Sequence, residues 1–280
     1  MKVLLKHIRC GLTSGVLLIH YWFWYFLRYS RHPEKYPIEK RYAMLRKACV
    51  SIIKHFRADL IYSGVEYLQE ALKDERGLLI VSNHLSIFDM LTLMLASDEP
   101  ITFIAKKELK KTPLLGKATM ALGSLFLDRD DPRQAIEVFR KATEIAKNGG
   151  VVGIYPEGTR NKDPLNTPVQ PFHPGSFKVS LRGEANILCI SSFGTFRYLA
   201  GPTNYRSNPI YFQFHKMVRY EDIKDKNTTQ IAELCHQIVN EGVEEQKKLD
   251  AEYIASGRHK KKAPKWWKTI PHVRDALGKK

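Results

Sequence analysis

The chain has 280 residues, enough for one large α/β domain or two small ones. Its hydrophobic content of 44% is ordinary for a globular protein, and 26% charged residues excludes an integral bundle of membrane spans. Lys and Arg number 45 against 29 Asp and Glu, a formal charge of +16 that attracts polyanions: nucleic acid, an anionic lipid surface or phosphorylated substrates.

The N-terminus carries the first strong pattern. Residues 10–27 contain no Asp, Glu, Lys or Arg and follow Lys2, Lys6 and Arg9. As a helix this run is about 27 Å long, the lower limit for crossing a bilayer's hydrocarbon core. Its second half, Tyr21-Trp22-Phe23-Trp24-Tyr25-Phe26, is aromatic throughout, the residue class enriched at the lipid–water boundary. No small-residue cleavage site follows, so a removable signal peptide is not expected. Spanning and lying within one leaflet both remain open, since Arg28 and Arg31 mirror the basic residues on the other flank.

Pro33 and Pro37 break the chain, and a helix over 38–57 follows. Tyr42, Leu45, Cys49, Ile52 and Phe56 form one apolar stripe, with Lys40, Arg41, Arg46, Lys47, Lys54 and Arg57 elsewhere on the cylinder. Such a helix can lie on an anionic surface or pack its stripe on the domain's own core. From residue 59 strands and helices alternate. Leu60-Ile61-Tyr62 and Val65-Glu66-Tyr67-Leu68 read as one strand interrupted at Gly64. Further strands are expected at 78–82, 101–105, 124–127, 151–155 and 187–192, with helices over 87–97, 114–122 and 133–147. Residues 210–214 and 217–220 read as a strand or strand pair, and a last helix covers 228–255. The order predicts an α/β fold: a mixed, largely parallel sheet flanked by helices, with an N-terminal membrane-embedded two-helix unit. The expected regions are 1–58, membrane-associating helices; 59–250, the α/β domain; and 251–280, a basic tail. Cys10, Cys49, Cys189 and Cys235 are scattered without CxxC or His ligand spacing, so reduced thiols and neither a zinc site nor a disulfide framework are expected.

Ligands of open α/β sheets collect at strand ends, so each exit carries weight. After strand 78–82 comes Asn83-His84-Leu85-Ser86-Ile87-Phe88-Asp89. Ser86 and Asp89 have capping-box spacing, while His84 and Asp89 can form a general base and its orienting carboxylate. Strand 101–105 exits into Lys106-Lys107, strand 124–127 into Asp128-Arg129, and strand 151–155 into Pro156-Glu157-Gly158-Thr159-Arg160. The loop Phe172-His173-Pro174-Gly175-Ser176-Phe177 then closes onto a short helix at Lys178. Cations recurring at these exits beside one histidine suggest a phosphate-binding cleft with a base.

Four blocks spanning most of residues 60–195 resemble the glycerolipid acyltransferases, specifically the 1-acyl-glycerol-3-phosphate acyltransferases. They are Asn83-His84 through Asp89; Gly123-Ser124-Leu125-Phe126-Leu127-Asp128-Arg129; Tyr155-Pro156-Glu157-Gly158-Thr159-Arg160; and Ile187-Leu188-Cys189-Ile190-Ser191, where Cys189 stands near the family's usual proline. The resemblance implies that His84 is the catalytic base oriented by Asp89, and that Arg129, Glu157, Gly158, Thr159 and Arg160 bind the acceptor. Lys106 and Lys178 join them from position and charge. It further implies lysophosphatidic acid as acceptor, acyl-CoA or acyl-carrier protein as co-substrate, no metal or other cofactor, and an enzyme on the cytosolic face of a membrane with its acyl channel between the N-terminal unit and the sheet. Another lysophospholipid or glycerol 3-phosphate is the competing acceptor, and a non-catalytic membrane-surface protein the alternative of another class. No nucleic-acid partner is expected, because the aromatics sit in an uncharged run rather than on a nucleic-acid-reading module. From Arg258 to Lys280, nine Lys and Arg against Asp275 surround Trp266-Trp267, a tail that either lies on anionic lipid or is simply solvated.

Overall fold

The computed structural model describes residues 15–16, 18–200 and 204–265. The start of the expected 10–27 helix, and the tail from Trp266 onward, lie outside the described residues. The chain is built on a seven-stranded sheet: β1 (Ala58–Ser63), β2 (Leu78–Ser82), β3 (Ile101–Lys106), β4 (Leu125–Leu127), β5 (Val151–Ile154), β6 (Asn186–Phe193) and β7 (Asn208–Phe214). Their spatial order is β1-β7-β6-β2-β5-β3-β4. Every neighbouring pair is parallel except β6 with β7. Leu78 pairs with Val151 on one side and Asn186 on the other, so β2 is central. All five of its residues are buried, as expected of an unbroken apolar strand covered on both faces.

Side chains alternate across β2 and so build two cores. Leu78 and Ile80 join Leu188, Ile190 and Phe103 on one face. There they meet α1 (Leu27–Arg31), α2 (Ile38–His55), α3 (Val65–Lys73), α4 (Phe88–Ala96) and α5 (Leu115–Ala121). Leu79 and Val81 join Ile187, Cys189 and Val152 on the other face. That face is covered by α6 (Pro132–Lys147), α7 (Lys178–Gly183) and α8 (Thr228–Ala255). Local signals fix several ends. Asp131 accepts hydrogen bonds from the Arg133 and Gln134 N–H groups at the start of α6, with Pro132 as its first residue. Asn227 and Gln230 complete a capping box on α8.

Two expectations for strands fail. Residues 65–68 open helix α3, because Gly64 takes the left-handed conformation (φ +68°) and turns the chain; a Cβ there would stand 2.0 Å from the Phe214 carbonyl oxygen. Residues 217–220 make a single bridge, Val218 to Ile187, before the chain coils into the one-turn helix Tyr220–Ile223.

The two possibilities for the second helix resolve toward core packing. Tyr42, Leu45 and Cys49 of α2 are buried in the same core as Leu78 and Ile80, with Ile52 and Phe56 packed against it. Two of its basic residues are buried with them. Arg41 donates through Nε to the Tyr36 carbonyl (3.0 Å) and through Nη1 to that of Ala121 (2.6 Å). Arg46 donates to the Met94 carbonyl (3.0 Å) and pairs with Asp98. Before α1, Trp22–Phe26 forms a π-helical turn, and the Trp22 indole N–H reaches the Pro113 carbonyl (2.8 Å). Among the described residues no helix is long and apolar enough to cross a membrane. Cys49, Cys189 and Cys235 are buried free thiols.

Candidate active site

The carboxyl ends of β2, β3, β4 and β5 converge on one cleft. As β2 ends, Asn83 is buried and its amide brackets the Ser192 peptide of β6, accepting from its N–H (2.8 Å) and donating to its carbonyl (2.9 Å). That pair of hydrogen bonds clamps the strand exit and presents His84. The His84 Nδ1 lies 2.8 Å from Asp89 Oδ2 in the first turn of α4. The same oxygen accepts the N–H groups of Leu85 (2.7 Å) and Ser86 (2.8 Å), while Asp89 Oδ1 accepts the Thr195 hydroxyl. Asp89 is wholly buried, so these four donors replace its water. Because the carboxylate only accepts, Nδ1 carries the proton and Nε2 is left with a free lone pair.

The capping box therefore forms in part. Asp89 bonds back to the Ser86 N–H, but its own N–H goes to the Ser86 carbonyl (3.1 Å), and the Ser86 hydroxyl reaches only the Phe88 N–H at 3.4 Å. One carboxylate closes the turn before α4 and orients His84, while α4 itself starts after Ile87 without a side-chain cap.

The turn after β5 fixes the histidine from the other side. Glu157 Oε1 accepts the His84 N–H (2.5 Å) and Oε2 the Gln170 N–H (3.0 Å), while the Asn161 N–H donates to the His84 carbonyl (2.8 Å). Burial pushes the Glu157 carboxyl above the ordinary carboxylate range, opposed by those two N–H groups. The Tyr155 ring stacks on the imidazole, centroids 4.4 Å apart and planes inclined by 26°. Gly158 follows at φ +69°, a conformation that favours glycine.

In front of His84 lies a cavity of about 560 Å³. Lys106, Glu108, Thr112, Arg129, Gly158, Thr159 and Arg160 supply its polar wall, where Lys106 pairs with Glu108 (3.4 Å), and Ile87, Met90, Leu109 and Leu115 its apolar one. Those four apolar residues also bound a smaller cavity of about 60 Å³, enclosed by Leu18, Phe26, Leu45, Cys49 and Ala118. A third cavity, of about 460 Å³, shares Lys106, Arg129, Tyr155, Gly158 and Thr159 with the first and extends to His173 and Ser176.

Of the residues singled out in the sequence, His84, Asp89, Lys106, Arg129, Glu157, Gly158, Thr159 and Arg160 come together at this point. Glu157 faces the His84 backbone rather than the first cavity. Lys178 does not join them: it stands exposed at the start of α7 and lines none of the three cavities. Four residues support this pair without having been assigned a role: Thr195 bonds to Asp89, Asn161 to the His84 carbonyl, Gln170 to Glu157, and Asn83 to Ser192 at the strand exit. Thr195 lies just beyond β6, so inspection of that strand's exit, as of the others, would have found it. The arrangement offers a general base with a fixed tautomer, several cations at one mouth and an apolar recess, which suits proton removal from a hydroxyl on an anionic, partly apolar molecule.

Residues 60–192 match the family model described as Acyltransferase. The chain is 31% identical over 148 residues to the chloroplastic 1-acyl-sn-glycerol-3-phosphate acyltransferase BAT2 of Brassica napus, an alignment covering 53% of this chain and 40% of that protein. It is 24% identical over 195 residues to the 1-acyl-sn-glycerol-3-phosphate acyltransferase of Borreliella burgdorferi, covering 67% and 74%. To the beta form from Homo sapiens it is 30% identical over 168 residues, covering 59% of each. The chain thus spans less than two thirds of the Brassica and human relatives. The crystal structure of the 1-acyl-sn-glycerophosphate acyltransferase PlsC from Thermotoga maritima superposes with a TM-score of 0.67 at 23% identity, over 88% of this chain and 98% of that one, which establishes the shared fold.

Proposed function

From the match of residues 60–192 to the acyltransferase family model, we propose that the chain moves a fatty acyl group from a thioester to the sn-2 hydroxyl of 1-acyl-glycerol 3-phosphate, giving phosphatidic acid. The observation that carries this reading is the His84–Asp89 pair, 2.8 Å apart, at the head of a cleft with cations on one wall and an apolar recess on the other.

His84 Nε2 takes the proton of the sn-2 hydroxyl as its oxygen attacks the thioester carbonyl, and Asp89 stabilises the imidazolium that forms. The tetrahedral intermediate collapses with loss of the thiolate, which receives that proton, so the products are phosphatidic acid and a free thiol. The attacking oxygen belongs to the acceptor, so the protein supplies no covalent nucleophile. Arg129 and Arg160 suit the acceptor phosphate, since a guanidinium offers it two parallel donors, and Lys106 adds a point charge. Thr159 and Gly158 contribute to the same wall, whereas Glu157 orders His84. Acyl-CoA and acyl-carrier-protein thioesters both meet the chemical requirement for the donor. The apolar recess bounded by Phe26, Leu45 and Ala118, about 60 Å³, supports a few methylene groups of a fatty chain lying between the N-terminal helices and the sheet. In this reading residues 1–58 face a membrane leaflet, 59–250 carry the chemistry and 251–280 supply positive charge toward anionic lipid on the cytosolic side.

Purified protein in detergent, supplied with lysophosphatidic acid and an acyl thioester, should yield phosphatidic acid by mass spectrometry. Glycerol 3-phosphate and lysophospholipids with other head groups complete the acceptor panel. His84→Ala should lower the rate by about 10²-fold or more. Full activity in that variant would end the mechanism.

A further inference from the structure

The loop before α7 carries a histidine that the mechanism above does not use. His173 is exposed, yet its backbone is held: its N–H donates to the Pro156 carbonyl (2.9 Å), its carbonyl accepts the Ser176 N–H (3.1 Å), and neighbouring Phe172 and Phe177 are buried in the sheet's second core. The imidazole rests against Gly158. A Cβ built on that glycine would stand 3.1 Å from both Cδ2 and Nε2 of His173 and 3.9 Å from Cζ of Arg129. The missing side chain therefore lets an imidazole and a guanidinium approach one point. Among the described residues no carboxylate pairs with either group.

The cavity in which they meet holds about 460 Å³, and its other polar residues include Lys106, Thr159 and Ser176. Its single acidic lining residue is Glu157, whose two oxygens already accept the His84 and Gln170 N–H groups. Lys106 already pairs with Glu108 (3.4 Å), so among the described residues the cation of this cavity without a carboxylate partner is Arg129, beside His173. Tyr155, stacked on His84, lines this cavity and the one in front of His84, so the two adjoin along its ring.

We infer that His173 and Arg129, meeting across Gly158, form a subsite for the phosphomonoester of the acceptor. This rests on the acyl-transfer reading above. A monoester presents three terminal oxygens, one more than a diester, and so can satisfy a bidentate guanidinium and an imidazole N–H together. His173 is then a determinant of acceptor choice, favouring 3-phosphates over head groups joined through a phosphodiester.

Steady-state kinetics of the full chain in detergent test this. His173→Ala should raise the KM for lysophosphatidic acid about tenfold, the equivalent of one charge-assisted hydrogen bond, with kcat within about twofold and the thioester KM unchanged. His173→Lys should recover most of the loss. An unchanged acceptor KM overturns the inference, and so does a rise in the thioester KM instead, which would assign the subsite to a phosphate of the donor. A second arm needs no turnover. Inorganic phosphate should raise the thermal midpoint of the wild type, and less or not at all that of His173→Ala and Arg129→Ala. Equal shifts in wild type and His173→Ala, or none in the wild type, overturn the subsite. A wild type that ignores lysophosphatidic acid refutes the acyl-transfer reading alone, and the phosphate arm still decides the subsite.

Discussion

Asp89 concentrates the local chemistry. One buried carboxylate receives the His84 ring, two backbone N–H groups and the Thr195 hydroxyl, so it closes the β2–α4 turn and sets the imidazole tautomer together. Thr195 alone reaches it from another strand exit and fixes the rotation of the carboxylate plane toward His84. Thr195→Val keeps the shape and removes that donor. Weakening one hydrogen bond to a buried charge should add about 1–2 kcal/mol to the barrier, or about five- to thirtyfold in kcat, with the acceptor KM unmoved because Thr195 does not line the cleft. Unchanged kcat would mean that the three remaining donors suffice. The pairing of His84 with Asp89 was legible because both partners lie within six residues of one another. The hold of Thr195 and Glu157 on that pair was not, since it depends on which strands end side by side.

Elements show the same division. Helix α6 could be read to within one residue of its start, 133 against Pro132, and Asp131 and Pro132 state its cap and first turn locally. Residues 65–68 could not, since four residues of mixed character fit either period; Ala71 and Leu72 three and four positions beyond Leu68 restore the helical spacing. For α2 the stripe was plain and its partner was not. The structure turns two of its cations inward: Arg41 ties the helix to the Tyr36 and Ala121 carbonyls, while Arg46 ties it to α4. Removing Arg41 leaves those carbonyls without their donor. Arg41→Ala should cost about 1–3 kcal/mol and lower the thermal midpoint by about 2–4 °C per kcal/mol, followed by calorimetry. Arg41→Lys should recover part only, because lysine has no counterpart to Nε. An unmoved midpoint would show that apolar contact alone seats the N-terminal unit.

At the scale of the molecule, the same N-terminal segment faces two ways. Phe26 is buried and, with Leu18, walls the apolar recess behind the cleft, whereas Phe23 and Trp24 are 59% and 58% exposed on the adjoining turn. The Trp22 hydrogen bond to Pro113 holds that turn against the chain just before α5, so the two exposed rings form a fixed projection rather than a flap. A formal charge of +16 adds attraction to anionic lipid. Aromatic insertion and charge are separable by salt, because screening weakens the second and leaves the first. Replacing Phe23 and Trp24 by serine removes two side chains each worth about 1.5–3 kcal/mol when taken fully out of water. If insertion buries half of that, partition onto anionic vesicles should fall about tenfold or more at high salt. Turnover of lysophosphatidic acid embedded in those vesicles should fall with it, while turnover in detergent micelles stays near the wild-type value, since neither ring lines the cleft. Co-sedimentation and the two assays read these quantities separately. Vesicle binding that survives the double substitution at high salt would remove Phe23 and Trp24 as the anchor.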